Sequence, residues 1–237
     1  MDSTKHFQTE AARIRAAYAE RSRTVPKDRY SFLKEENSLI HVELLGEILR
    51  LLRRYGYCTL EQEKILDVGC GKGFWLRQFI QWGARPENLF GVDLLQDRIL
   101  EGRQLCPARV TLKCGDASKL EYEDNAFDLV LQFTVFTSIL DPLMKKSVAA
   151  EMIRVLKPGG TICWYDYFVS NPKNPDVRGV GRAEIKTLFP GLNIFLKRIT
   201  LAPPLGRAIG PVSPRIYRLL SAVKPLCTHY LGFFQKP

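Results

Sequence analysis

The chain has 237 residues, 46% hydrophobic and 25% charged, with a net charge of +10. This balance fits a globular chain of one domain with extensions, and no run of about 18 apolar residues is present to span a bilayer. The opening stretch, MDSTKHFQTEAARIRAAYAERSR, is mixed and charged, unlike a secretory signal, so a cytoplasmic protein is expected.

Residues 1–60 read as a helical cap preceding a domain over 61–237. TEAARIRAAYAERS is alanine-rich and charged. SLIHVELLGEILRLLRRYG carries Leu39, Val42, Leu45, Ile48, Leu49 and Leu52 at helical spacing and stops at Gly56. The proline-marked TVPKDRYSFLKEENS connects them. From Lys64 the pattern alternates. KILDVG, LFGVDL, VTLKCGD, FDLVLQF and TICWYDYF read as strands, and FWLRQFIQWG, QDRILEGRQLC and KKSVAAEMIRVL as helices. Strands this apolar are buried on both faces, which implies a parallel sheet covered by helices. LKPGG reads as a tight turn before the fifth strand. Beyond it come a loop, VSNPKNPDVRGVG, a short helix, RAEIKTLF, and two more strands, LNIFLKRITL and HYLGFFQKP. The stretch between those strands, APPLGRAIGPVSPRIYRLLSAVKP, receives no element.

Six cysteines are scattered without a C-x-x-C pair or a histidine at ligand spacing. They read as free thiols, and no metal site is expected. After Glu184 there is no acidic residue, while Lys186, Lys197, Arg198, Arg207, Arg215, Arg218, Lys224 and Lys236 follow. This tail is either a solvated face or an attraction for an anionic partner: a phosphorylated substrate, an acidic glycan, a membrane surface or RNA.

ILDVGCGKGFW, residues 65–75, places Gly69, Gly71 and Gly73 directly after a strand. Alternating glycines there let backbone approach a ligand at the carboxyl edge of the sheet. The spacing is not that of a dinucleotide fingerprint, because Phe74 stands where its third glycine belongs, and the G-K-[ST] of a Walker loop is missing. Asp93 ends the second strand twenty residues after Gly73, where a carboxylate can accept two ribose hydroxyls. Asp116 ends the third strand and can accept from an exocyclic amine. Asp67 faces the glycine loop and can fix it or receive a cationic amino group. Each acid alone also fits a helix cap or turn; three at successive strand ends beside this loop point to a ligand.

Taken in order, ILDVGCGKGFW, GVDL, CGDASKL, FDLVLQF and EMIRVLKPGG resemble the consecutive motifs of class I S-adenosylmethionine-dependent methyltransferases, over about residues 60–170, with a UbiE/Coq5-like core of the small-molecule subgroup. The resemblance implies an α/β, Rossmann-like, doubly wound sheet of seven strands, mostly parallel with an antiparallel last strand, under a helical N-terminal lid. It implies that Gly69, Gly71 and Gly73 pack against the methionine part of S-adenosylmethionine and that Asp93 takes the ribose. It also implies that Asp116 and Ala117 hold the adenine beside Leu94, and that Gln132 lies nearest the sulfonium.

For the acceptor, Asp166 and Tyr165 at the end of the fifth strand, and His41 on the N-terminal helix, are candidate bases. Phe133, Phe136 and Tyr167 are candidate substrate contacts. Asn171 and Arg178, in the following loop, are candidates to border the acceptor, Arg178 by clamping an anion. Each has a structural alternative: a cap for Asp166, an exposed surface position for His41, core packing for the aromatics, turn formation for the loop residues. QFTVFTSILDP lacks the acidic or amide residue followed by Pro-Pro-aromatic of amino-methylating nucleobase enzymes. The expected substrate is therefore a small molecule, a natural product, sugar or lipid-like acceptor methylated on oxygen or carbon, with an anionic acceptor and peripheral membrane contact open and no DNA expected. RNA or protein methylation, or a non-catalytic cofactor-binding module, are the competing readings; the oligomeric state is not legible.

Overall fold

In the computed structural model, which describes residues 3–237, the apolar runs assemble into one sheet. Its strands are β1 (Ile65–Val68), β2 (Leu89–Asp93), β3 (Thr111–Cys114), β4 (Phe127–Phe133), β5 (Leu156–Tyr167), β6 (Asn193–Leu201) and β7 (Cys227–Gln235), in the order β3-β2-β1-β4-β5-β7-β6. Pairing is parallel from β3 through β5, while β7 lies antiparallel between β5 and β6. This is the expected doubly wound sheet with an antiparallel last strand. Strand order reverses between β1 and β4, so the carboxyl ends of β1, β2 and β4 open onto a natural crevice.

Successive residues of each strand enter different layers. Leu66, Val68, Val130, Ile162 and Trp164 join one core; Ile65, Leu129, Leu131, Cys163 and Tyr165 join the other. The first layer is closed by α1 (Ser3–Thr24), α5 (Pro142–Val155) and α6 (Arg182–Leu188). The second is closed by α2 (Glu35–Arg54), α3 (Phe74–Gln81) and α4 (Gln96–Leu105). The two N-terminal helices thus bury residues on opposite faces of the sheet. In the first layer Trp164 is fully buried among Phe136, Phe189 and Phe234, a cluster whose truncation to alanine at any ring would cost about 3–5 kcal/mol.

Three local readings change. The buried face of α2 is Leu44, Ile48, Leu51 and Leu52, whereas Val42 is 64% exposed, because helix and sheet meet along a line offset from the simple apolar count. LKPGG is a bulge inside β5 and not a separate turn. Gly159, at φ 75°, donates its N–H to Lys236 O, and a side chain on Gly160 would strike the carbonyl oxygens of Asp128 and Lys157. The unassigned stretch forms α7 (Pro203–Ile209) and α8 (Pro214–Ala222), each opened by proline in its first turn, α8 with Ser213 as its cap. Their prolines read as loop formers in the sequence but serve as helix starters. Likewise α5 begins at Pro142, capped by Asp141, one turn before the apolar pattern suggests.

Candidate functional site

Past β1 the backbone turns sharply. Gly69, Gly71 and Gly73 all adopt left-handed conformations, at φ 72°, 52° and 71°. A side chain there costs about 1–2 kcal/mol each. Space adds a separate reason at each position. A Cβ on Gly69 would run into Val135, and one on Gly73 would meet Cys106 Sγ at 2.5 Å. At Gly71 the nearest neighbour would be Arg98 Nη1 at 3.8 Å, so this glycine alone faces open space.

Asp93 ties the loop down. Its Oδ2 accepts from Gly71 N at 2.8 Å and its Oδ1 from Leu95 N at 2.9 Å. A carboxylate has about four acceptor sites, so capacity remains for a ligand. Burial raises the Asp93 pKa, and the two N–H donors oppose that rise. Asp116, half-buried, accepts from Ser118 N at 2.8 Å through Oδ1.

Gly71 and Gly73 stand outside the lining of a solvent-open cleft that Gly69, Asp93 and Asp116 share. Gly69, Asp93, Leu94, Asp116, Ala117 and Phe133, all marked in the sequence, line it. Residues not marked complete it: Arg98 on α4, Thr134 and Val135 after β4, Met144 and Val148 on α5, and Ile14 and Tyr18 on α1. The Arg98 guanidinium lies 4.5 Å from the Tyr18 ring, and Tyr18 Oη meets Ser138 Oγ at 3.0 Å, so α1 roofs the cleft. Glu10 and Arg13 fasten the roof: Glu10 Oε1 accepts from Leu140 N at 2.6 Å, and Arg13 Nη2 donates to Ser138 O at 2.6 Å. Thr134 is left-handed at φ 58°, an uncommon geometry for a β-branched residue, locked by its N–H to Tyr165 O at 2.8 Å. No periodicity marks Tyr18 or Thr134; Arg98 had a usable signal, standing in the first turn of the helix that follows Asp93.

Behind the cleft lie two incompletely paired polar groups. Asp67 is 1% exposed, and neither carboxylate oxygen has a partner among the described residues. Burial, with the nearby Asp93 charge added, pushes its pKa well up. Gln132 is fully buried; its Oε1 accepts from Val135 N at 3.1 Å while its Nε2 is unpaired. A buried carboxyl without a donor is costly and calls for one. Beside open Gly71 and two acceptor-rich acids, it fits a ligand with an adenosyl end and a cationic amino group.

Other candidates stand elsewhere. Asp166 is fully buried and occupied: Oδ1 accepts from Thr137 Oγ1 at 2.7 Å and Tyr167 N at 2.9 Å, and Oδ2 from Thr137 N at 3.2 Å. Desolvation pushes its pKa up to about 6, yet it anchors the β4–α5 connection and does not line the cleft. Phe136 is fully buried against Trp164 and Phe189, on the layer away from the aromatic wall of the cleft. Asn171 is spent on a turn, accepting from Lys173 N at 3.0 Å, and Arg178 pairs with Glu184 at 2.8 Å. Both are exposed and away from the cleft, because their loop folds back on its own polar groups.

The remaining candidates lie along an aromatic lane that starts at the cleft wall. Phe133 stacks on Trp75 with centroids 3.9 Å apart; Trp75 leads to Phe74 and His41, and His41 stacks on Phe32 at 4.4 Å. On the other side Phe133 approaches Tyr165, whose ring stacks on His229 at 4.9 Å, and His229 touches Tyr167 at 4.0 Å. Tyr165 Oη is paired with Thr200 Oγ1 at 2.9 Å, and burial raises its pKa well above the ordinary phenol value. Burial lowers both histidines, His229 to about 3, so both rings are neutral at pH 7. Sequence reasoning missed His229, Trp75 and Phe74 because α3, which carries Phe74 and Trp75, and β7, which carries His229, are brought to β4 and β5 only by the tertiary fold.

Residues 65–160 match the family described as Methyltransferase domain. The demethylmenaquinone methyltransferase of Listeria welshimeri is 27% identical over 163 residues, 67% of this chain and 65% of that protein. The sterol 24-C-methyltransferase of Yarrowia lipolytica is 30% identical over 127 residues, 48% of this chain and 32% of that protein. The match therefore spans less than two thirds of either relative's length. A solved protein of Pyrococcus horikoshii OT3 shares the fold, with a TM-score of 0.63 at 20% identity over 92% of this chain and 99% of that one. The family segment contains every residue of the cleft except those of its α1 roof. The chain thus carries a methyltransferase domain over residues 65–160, with S-adenosylmethionine as its cofactor.

Proposed function

We propose that this protein methylates an oxygen or carbon of an apolar, ring-bearing small molecule. The observation that carries this reading is the aromatic wall of the cofactor cleft, Phe133, backed by Trp75 stacked on it at 3.9 Å. Flat apolar rings bind such surfaces by stacking and by burying area. Relatives named for demethylmenaquinone and for a sterol, both apolar ring compounds, share this half of the chain.

When bound, S-adenosylmethionine supplies a methyl group that is already electrophilic. In this reading Asp93 holds the ribose hydroxyls, Asp116 and Ala117 the adenine edge, Asp67 the amino group, and Gly71 gives the backbone approach. The chain's task is then to orient an acceptor and exclude water. The α1 roof, fastened by Glu10, Arg13 and Tyr18, excludes solvent from the cofactor side. His41, held neutral by burial among Phe32, Phe74 and Trp75, is the group we assign to accept a proton from a hydroxyl acceptor. Tyr165 stays protonated and orients through Thr200.

The test is methyl transfer from labelled S-adenosylmethionine to a panel holding a short-chain naphthoquinol, a sterol, a sugar phosphate, bulk tRNA and a protein extract. Label is expected in an apolar ring compound. Label only in tRNA or protein, with cofactor binding intact, would sink the reading.

A further inference from the structure

The basic tail has no part in the cleft: Arg98 is the cation that lines it. Several tail cations are held within the fold. Lys197 pairs with Glu47 at 2.6 Å, Lys236 donates to Ile153 O and Leu156 O, and the Arg198 guanidinium lies over Phe168. Arg207, Arg215 and Arg218 differ. They are exposed on α7 and α8, and among the described residues none has an acidic partner.

Three stripes run along α8. Tyr217 and Ser221, one turn apart, face inward. Arg215 and Arg218 form a second stripe. Ile216, Leu219 and Val223, at i, i+3 and i+7, form a third, and it is bare: Leu219 is 70% exposed. Val212, 80% exposed, and Leu205 extend the apolar surface across the turn onto α7. α7 in turn packs on the start of α2, where a side chain on Gly210 would touch Glu36. Leu33, 98% exposed, stands three residues from that contact, and neighbouring Phe32 is the outer ring of the aromatic lane.

We propose that the α7–α8 face docks on an anionic lipid bilayer. A bare apolar stripe beside an arginine stripe, on short helices lying at the surface, is the arrangement that seats a helix in the headgroup region. Charge decides among occupants. The chain from residue 185 onward contains no acid, so the face complements lipid phosphates. A second copy docked by the same face would set arginines against arginines across the two-fold axis. Docking does not depend on the acceptor assigned above, and its test needs no turnover.

The intact protein is sedimented with vesicles of phosphatidylcholine containing about one third phosphatidylglycerol, and with pure phosphatidylcholine vesicles. It is expected to pellet with the anionic vesicles, less so as salt rises, and to stay in solution with the neutral ones. Arg215→Ala with Arg218→Ala should lower the partition coefficient about 25-fold, at roughly fivefold per cation near an anionic surface. Ile216→Glu with Leu219→Glu should abolish it. Unchanged affinity of each variant for S-adenosylhomocysteine shows that the fold is kept. The proposal is overturned if the parent ignores anionic vesicles, if neutral vesicles bind equally, or if the glutamate variant pellets like the parent. It is also overturned if the parent is a dimer that the glutamate variant splits, since a second copy then covers the face.

Discussion

The two halves of the carboxyl edge are built on different principles. On the β1–β3 side the cleft is made of backbone and carboxylates: three left-handed glycines, with Asp93 bridging Gly71 N and Leu95 N. On the β4–β7 side one ring, Phe133, lines the cleft, and behind it rings from α2, α3, β5 and β7 pack on one another, with polar atoms tied together, as Tyr165 is to Thr200. The first half suits one invariant ligand, because hydrogen-bond geometry admits few alternatives. The second suits a shape-selected acceptor, because stacking tolerates many. Substitutions on the first side should therefore change cofactor affinity or stability, and those on the second should change acceptor use alone.

The largest effect is expected at Asp93. Asp93→Ala removes the anchors of two backbone turns as well as a ribose acceptor. It should weaken S-adenosylhomocysteine by about 3 kcal/mol, roughly 100-fold by calorimetry. An unchanged Kd would break the division of labour. Next come the glycines. Gly73→Ala meets both strain and the Cys106 sulfur and should lower urea stability by about 2–3 kcal/mol, whereas Gly71→Ala meets strain only and should cost about 1 kcal/mol. Equal losses would mean that open space at Gly71 is irrelevant.

Across the edge, Trp75→Ala should lower kcat/KM for an aromatic acceptor about tenfold while leaving S-adenosylhomocysteine affinity within about 0.5 kcal/mol. A matching loss of cofactor affinity would merge the two halves. The smallest effect concerns pH. The raised pKa of Asp67 means that the folded, ligand-free chain keeps a proton that the unfolded chain releases above the ordinary carboxylate range. Its contribution to stability therefore falls as pH rises through that window. Asp67→Asn removes the titration. Relative to the parent, the variant should gain stability as pH rises from about 5 to about 8, read from paired Tm values, and should bind S-adenosylhomocysteine more weakly. A gain at both steps would show that Asp67 does not meet the ligand.

Legibility follows the same divide. Gly69, Asp93 and Asp116 were readable because a parallel strand and the turn after it fix a residue's place at the edge within a few positions. The roof was not: Tyr18 reaches Ser138 across 120 residues, and nothing local to Tyr18 announces it. Asp166 misled in the opposite way. Its place at a strand end was correct, yet the neighbouring Thr137 hydroxyl and amide claim its oxygens, a contact set by how the β4–α5 connection folds back. Phe136 looked like a pocket ring and became core because the turn after β4 packs it against Trp164 and Phe189.

By itself the sequence determined the alternation of strand and helix, the direction of the sheet, the glycine loop and the acids that follow it. All of these depend on spacing within one strand–turn–helix unit. Only the tertiary structure decided which aromatics meet at the cleft wall, which helix covers the cofactor, that Asp67 is left without a partner, and that α8 turns an apolar stripe to solvent. Those outcomes depend on contacts between segments far apart in the chain, where packing and desolvation, not local preference, choose the neighbour.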